Sequence, residues 1–268
     1  MKPISKTAFY CTGVRALDAR KPNPICGDQY AERFMDDAAW QAFEPFKKLT
    51  GPNISNAMRH RIIDDLLRDR LALHPNLRIV IIGAGFDSRA FRLKGGQWLE
   101  LDEPQIFAWK DPRLPVAQCP NPLTRVSIDF ESERLADKLA PFADPGPIAI
   151  VVEGVLFYLP EPSTRELLRT TRSRFPKGEI LCDIMTVEFF NKFGRETFDR
   201  LRDFGAAIVL HERPIADVFT EEHYRETQMI SMGLRGMKEM PFLMRMFVKF
   251  NTVFHTGYTV RVFEPTEP

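Results

Sequence analysis

Four short apolar runs in this chain, residues 78–82, 97–101, 123–128 and 148–152, are followed in turn by Gly83-Ala84-Gly85, Asp102, Asp129 and Glu153. One glycine turn and three acids are groups that could hold a polar ligand. Glycines in such a turn let the backbone approach a bound molecule closely, because no Cβ stands in the way. Asp102 lies 19 residues after Gly83, near the spacing at which a carboxylate reaches ribose hydroxyls. Taken singly, Asp102 and Asp129 also read as turn formers at strand ends. Glu153 is harder to explain that way, since it interrupts the apolar stretch 148–159, where a carboxylate must be paired or have its pKa raised. Costly charges of this kind mark functional sites.

These residues require a sheet to bring them together. Met58, Ile62, Ile63, Leu66, Leu67 and Leu71 recur at helical spacing and predict a helix over 54–73, stopped at His74-Pro75. The β-branched run 78–82 then predicts a buried strand, and the runs 97–101, 123–128 and 148–152 repeat the unit. Strands alternating with helices imply βαβ crossovers and a mostly parallel sheet, whose carboxyl ends line one crevice. A fifth strand over 179–185 follows an amphipathic helix, 163–174, and its stop at Pro176. Further on, the pattern predicts helices over 189–204 and 241–250, a short strand over 206–210, and a late strand or hairpin over 251–263.

Composition excludes several classes of function. The 268 residues carry 37 Lys+Arg against 36 Asp+Glu, a net charge of +1, which gives no field for a polyanion and argues against a nucleic-acid partner. With 44% hydrophobic residues and 22 Phe, the chain can build a full core without disulfides. Its four cysteines form no C-x-x-C pair and read as reduced thiols. Residues 1–20 lack the apolar core of a signal peptide, and the stretch 148–159 is too short to span a bilayer. A soluble, cytoplasmic protein without integral membrane association is expected. His211-Glu212 and Glu221-Glu222-His223 lack metal-binding spacing, so no metal is expected.

A glycine turn followed by an acid suits either a nicotinamide dinucleotide or S-adenosylmethionine. Ser88 stands where the dinucleotide fingerprint wants its third glycine. A pyrophosphate also asks for cations and helix N-termini, whereas S-adenosylmethionine brings a sulfonium, an ammonium and no phosphate. Acid-loaded strand tips favour the second cofactor. A nicotinamide-dependent Rossmann reductase would further need a Tyr/Lys or His/Asp pair, and four residues after Tyr158 stands Pro162. A third reading is a non-catalytic fold of the same kind that binds a ligand or a protein.

Lys6-Thr7-Ala8, Met58-Arg59-His60-Arg61, the segment 81–92 (IIGAGFDSRAFR), Leu101-Asp102-Glu103-Pro104 and Glu153-Gly-Val-Leu-Phe-Tyr158 follow one another in an order that resembles the leucine carboxyl methyltransferase family, in particular its bacterial polyketide O-methyltransferase branch. The likeness is strongest over residues 6–160. It implies a class I S-adenosylmethionine-dependent methyltransferase with an α/β, doubly wound, mostly parallel seven-stranded sheet of Rossmann-like form. By the same likeness Lys6 and Arg59 meet the methionine carboxylate, and Gly83, with Ala84 and Gly85, the methionine portion. Asp102 holds the ribose, Asp129 and the backbone of Phe130 the adenine, and Glu153 the ammonium side. Glu153 and Tyr158 are the candidate catalytic residues. The family's acceptors are carboxylates, the C-terminal leucine of a protein phosphatase in one branch and polyketide or other small acids in the other, so a small hydrophobic acid is the expected partner.

Methyl transfer from a sulfonium demands in-line placement more than protein functional groups. A carboxylate is already ionised at neutral pH and needs no base. A hydroxyl acceptor would need one, and the candidates are His60, His211, His223, His255 and Glu153. Arg15, Arg61, Arg89 and Arg92 read as surface groups in solvent or in ion pairs. Six methionines, Met229, Met232, Met237, Met240, Met244 and Met246, fall beside Arg235, Lys238, Arg245 and Lys249. The plain expectation is a helix packed on the sheet with its charges in water; the sharper one is an adaptable wall for a greasy acid. The chain then divides, as one methyltransferase domain over 1–268, into a helical N-terminal cap (1–74), a cofactor-binding α/β core (75–185), an acceptor-side insertion (186–250) and a final strand region (251–268).

Overall fold

The structure is a computed structural model and describes residues 3–203, 205–206, 208–209 and 213–266, with no side-chain description for residues 3–5. Seven strands form one sheet: β1 (Arg78–Ile82), β2 (Gln97–Asp102), β3 (Leu123–Ser127), β4 (Pro147–Val152), β5 (Lys177–Met185), β6 (Tyr224–Ser231) and β7 (Tyr258–Pro265). Their order is β3-β2-β1-β4-β5-β7-β6, and the first five are parallel while β7 runs antiparallel to both of its neighbours. The order reverses between β1 and β4, so a crevice opens at the carboxyl ends of those two strands.

Both faces of β1 are buried, which is why its sequence is a continuous apolar run. Ile79 and Ile81 pack into the core beneath the N-terminal helices, whereas Val80 and Ile82 pack into the core on the opposite face. The helices are α1 (Pro3–Ala19), α2 (Asp37–Phe43), α3 (Thr50–Leu73), α4 (Arg89–Arg92), α5 (Pro104–Arg113), α6 (Leu135–Leu139), α7 (Glu161–Arg174), α8 (Val187–Phe189), α9 (Arg195–Asp203), α10 (Ile215–Glu221), α11 (Met232–Gly236), α12 (Phe242–Phe250) and α13 (Val253–Thr256). On α3 the apolar stripe Ile62, Ile63, Leu66 and Leu67 seats the helix on the sheet, and the same turns carry Arg59, His60 and Asp64 inward. Among the described residues, no helix is long and apolar enough to cross a membrane.

The five parallel strands lie where the sequence places them, and the later third of the chain differs. Of the strand expected over 206–210, the described positions 206, 208 and 209 are not in a strand, because the Val209 N–H is taken by the Phe157 carbonyl (2.9 Å) rather than by a ladder; residues 207 and 210 lie outside the described residues. The expected late strand over 251–263 begins only at Tyr258, since Asn251 Oδ1 accepts from the Val253 N–H and turns the chain into α13. The stretch 186–250 contributes an edge strand, β6, as well as helices. That strand has no apolar run, because residues 225–229 are exposed.

The edge is pinned from below by α10. Phe219, fully buried, stacks on Phe263 of β7 at 4.0 Å between ring centroids and meets Tyr224 of β6 edge-on. Phe219→Ala should cost about 3–5 kcal/mol of stability, read from the urea midpoint; a loss under 1 kcal/mol would show that the edge does not depend on this contact.

Candidate active site

At the switch point the chain leaves β1 through Gly83 and Gly85, both in the left-handed region (φ +72° and +49°). A Cβ on Gly83 would lie 2.6 Å from Val155 Cγ2, so the turn after β1 fits only as glycine against the loop after β4. Beside it, Asp102 at the tip of β2 accepts from the backbone N–H groups of Gly85 (2.5 Å) and Glu103 (2.6 Å). Burial outweighs those two bonds and pushes the Asp102 carboxyl up to about 6. The crevice these tips border has a volume of about 540 Å³, and its lining includes Gly83, Ala84, Gly85, Asp102, Phe130, Glu153 and Tyr158.

Behind the crevice lies a buried network of charges. Arg59 donates from Nε to Glu153 Oε1 (3.0 Å) and from Nη1 to Asp183 Oδ2 (3.0 Å) and the Tyr258 hydroxyl (2.9 Å). From the other side Arg89 reaches Glu153 Oε2 (2.6 Å), Asp64 Oδ1 (2.7 Å) and Asp87. Arg92 bonds Asp64 (2.6 Å), while Arg15 bonds Asp28 (3.0 Å) and the Phe86 carbonyl (2.9 Å). Burial alone would raise the Glu153 pKa; Arg89 and Arg59 outweigh it and hold the carboxyl well below the usual carboxylate range. His60 is pushed the other way, lowered by burial and then by Arg89, so it stays neutral at pH 7. Its Nε2 stands 2.7 Å from Arg92 Nη2, and its Nδ1 stands 2.7 Å from Arg89 Nη2 and 3.3 Å from Glu153 Oε2, so a guanidinium faces each ring nitrogen.

His60, Asp87 and Glu153 converge closely enough to suggest metal ligands. The guanidinium of Arg89 lies within hydrogen-bond reach of all three and supplies the positive charge that a cation would bring.

A second, apolar chamber of about 330 Å³ opens beside the crevice. Its walls include Phe157, Phe189, Phe193, Phe198, Phe254 and Met232, Met240 and Met244. The chain widens into a π-helical turn over Phe190–Gly194, which sets Phe193 and Gly194 on the chamber side. Thr7, Cys11, Arg59, Gly154 and Tyr158 line crevice and chamber alike, so the two volumes meet across one shared wall.

A family model for leucine carboxyl methyltransferases matches residues 8–172, more than half of the chain. The chain belongs to the leucine carboxyl methyltransferase family. A protein of Mycobacteroides abscessus assigned as an S-adenosyl-L-methionine-dependent methyltransferase is 31% identical over 233 residues, 76% of this chain and 72% of that one. The tetracenomycin polyketide synthesis O-methyltransferase TcmP of Streptomyces glaucescens is 27% identical over 183 residues, covering 67% of this chain. The match spans 65% of TcmP and likewise 65% of a Streptomyces coelicolor relative. Among solved structures, a DUF574 family protein from Streptomyces avermitilis superposes with a TM-score of 0.60 at 14% identity, over 88% of this chain and 95% of that one. Magnesium protoporphyrin IX methyltransferase from Synechocystis, with bound SAH, gives 0.50 at 11% identity over 84% and 95%. The fold is that of the class I S-adenosylmethionine-dependent methyltransferases.

The family motifs map unevenly onto the geometry. Arg59, Gly83, Ala84, Gly85, Asp102, Phe130, Glu153 and Tyr158 come together around the crevice. Lys6 is exposed on α1 and does not line it; the residues that α1 presents there are Thr7, Ala8, Cys11, Thr12 and Arg15. Asp129 also lies off the lining, its carboxylate accepting from the Glu131 N–H, while the following residues 130–135 form that wall. Among the base candidates, His60 is locked in the network, His223 is exposed at the start of β6, His255 faces the Lys249 carbonyl, and His211 lies outside the described residues, as does Glu212.

Two expectations are corrected. Arg15, Arg89 and Arg92 are buried in ion pairs rather than on the surface, and only Arg61 is solvated. Helix α12 does not keep a charged side alone in water: Met244, Phe247 and Val248 face the chamber, which leaves Phe242, Leu243 and Phe250 more than 70% exposed. The signal for buried arginines was the alternation of arginines with acids along 59–69 and 87–92, which a single sequence also shows on solvated helices.

Arg89→Met leaves Asp64, Asp87 and Glu153 buried and short of a partner, and should cost about 3–5 kcal/mol. In the parent, the depressed carboxyls of Asp64 and Glu153 add stability above about pH 4 that is lost as pH falls through their folded values. Without Arg89, burial raises those carboxyls, so the variant's deficit in denaturant melts should be greatest at neutral pH and shrink towards pH 4. A deficit that does not change with pH would refute this account of the network.

Proposed function

We propose that the protein is an S-adenosylmethionine-dependent O-methyltransferase that methylates the carboxylate of a small hydrophobic acid. One observation carries the choice of acceptor: among the described residues, the chamber lining contains no His, Asp, Glu or Lys. Its tyrosines are no substitute, because burial pushes Tyr10, Tyr158 and Tyr258 well above their ordinary values. A hydroxyl acceptor would find no base there. A carboxylate arrives ionised, and the one cation on the lining among the described residues, Arg59, stands on the wall shared with the crevice.

The residues present suit the cofactor. The glycine turn admits a ligand against bare backbone, and Asp102 offers a buried carboxylate to ribose hydroxyls. Glu153 stays ionised and suits the ammonium group; Arg59 Nη2, whose one hydrogen-bond contact among the described residues is Cys11 Sγ at 3.6 Å, is the donor left for the methionine carboxylate. Phe130 offers its backbone and a half-exposed ring to the adenine, beside the Asp129 turn. The bound cofactor would supply an electrophilic methyl on its sulfonium. Tyr158 and the aromatic walls then orient the acceptor and exclude water, which leaves approach along the S–CH3 axis as the main demand. The names of the Mycobacteroides and Streptomyces relatives support the methyl-transfer part of this reading.

S-adenosylhomocysteine should raise the melting temperature while NADH does not; the reverse would favour a nicotinamide-dependent reductase. Methyl release over a panel of hydrophobic carboxylic acids distinguishes an enzyme from a fold that binds the cofactor without turnover. Asp102→Ala should weaken S-adenosylhomocysteine binding roughly 10- to 100-fold, the loss of a charge-assisted hydrogen bond. Ribose hydroxyls donate to the ionised carboxylate, so parent affinity should fall as pH drops below about 6. Calorimetry across pH 5–8 that shows no such decline would remove Asp102 from the ribose site.

A further inference from the structure

Of the twelve large apolar side chains exposed among the described residues, six lie on the nine-residue helix α12: Phe242, Leu243, Met244, Met246, Phe247 and Phe250. Helical spacing sorts that helix into two arcs. Met244, Phe247 and Val248 turn to the chamber, which leaves Phe242, Met246 and Phe250, at i, i+4 and i+8, on the outward arc with Leu243 beside them. Clustered apolar side chains in water mark a contact surface, whereas single ones need no explanation. The rim of this arc is cationic. Lys249 holds its Nζ 5.8 Å from the Phe250 ring centroid, and Lys238, in the turn that leads into the helix, has an 80% exposed side chain. Arg245 is fixed at the start of α12 by its bonds to the carbonyls of Met240 (2.7 Å) and Lys238 (2.8 Å). Residues 234–250 carry Arg235, Lys238, Arg245 and Lys249 against one acid, Glu239, on a chain whose net charge is only +1.

We propose that α12 docks the protein on an anionic lipid bilayer. Phe242, Leu243, Met246 and Phe250 enter the boundary between headgroups and acyl chains, while Lys238, Arg245 and Lys249 meet the lipid phosphates. A short helix with an apolar arc beside cations lies in the plane of such an interface and binds through both terms, buried apolar area and attraction to anionic lipid. It does not cross, since no helix among the described residues is long and apolar enough to do so. Charge decides between lipid and a second copy of the chain. A two-fold contact sets a patch against itself and would press these same cations together, whereas a surface of lipid phosphates complements them. The helix that docks is also the one that covers the chamber, so the bilayer would lie directly over that cover. The inference holds whichever compound the chamber admits.

The test sediments the full-length protein with vesicles of phosphatidylcholine alone or mixed with phosphatidylglycerol. The parent should bind the mixed vesicles at least about 10-fold more strongly than the neutral ones, and most of that gain should vanish at about 0.5 M salt. Phe242→Ser, Leu243→Ser and Phe250→Ser together should abolish binding to both. Lys238→Glu with Lys249→Glu should remove the preference for the anionic vesicles and leave the weaker neutral binding. None of these five residues lines the chamber or the crevice, so both variants should keep the parent's melting temperature. No binding of the parent to either vesicle, equal binding to both, or a triple serine variant that binds as the parent does overturns the proposal. So does a dimer in sedimentation velocity that the triple variant dissolves while the parent ignores vesicles, a result that would give the face to a second copy.

Discussion

Glu153 is held from two sides by buried guanidiniums, Arg59 from α3 and Arg89 from α4, and these bonds join parts of the chain that are far apart in sequence. Through Arg59 the tip of β4 is tied to Asp183 on β5 and Tyr258 on β7; through Arg89 it is tied to Asp64 on α3 and to Asp87 in the turn after β1. Buried ion pairs are costly to desolvate, and hydrophobic replacements can equal them in stability. What they contribute here is definition of place. Asp183 Oδ1 also takes the Gly154 N–H, and a Cβ on Gly154 would approach Arg59 Nη2 at 3.1 Å, so the loop after β4 has little freedom to shift.

That constraint explains how two unlike volumes can share a wall. On one side lie acids and backbone amides, in keeping with a charged cofactor; on the other lie phenylalanines and methionines. Arg59 spans the boundary because three of its contacts are to fixed buried groups. The near-neutral composition of the chain therefore conceals a strong local separation of character, with the charge concentrated behind the crevice and nearly absent from the chamber.

The parallel half of the fold was legible because β1, β2, β4 and β5 are buried on both faces, which forces short apolar runs, while the half-exposed edge strand β3 showed by its place in the repeat. Asp102 and Glu153 could be found by position alone, at the tips of such runs. Strand β6 could not, since an exposed edge has no need of apolar residues, and α13 interrupts a stretch whose composition is entirely strand-like. The chamber was only hinted at by the methionine cluster. Phe189, Phe193 and Phe198 reach it through a π-helical turn, and no pattern of period 3.6 announces that turn. Arg15, Arg89 and Arg92 were misplaced for another reason: charged side chains look alike in sequence whether their partners are buried or solvated.

The shared wall also separates linings drawn largely from different stretches of the chain. The crevice draws nearly all of its lining from residues 7–15 and 59–167, within or close to the segment that matches the family, whereas most of the chamber's aromatic and methionine wall comes from residues 185–258, beyond it. Substitutions in that later segment can reshape what the chamber admits without disturbing Gly83, Asp102 or Glu153. Under the proposed function, a scaffold arranged in this way separates the choice of the compound to be modified from the apparatus for the modification.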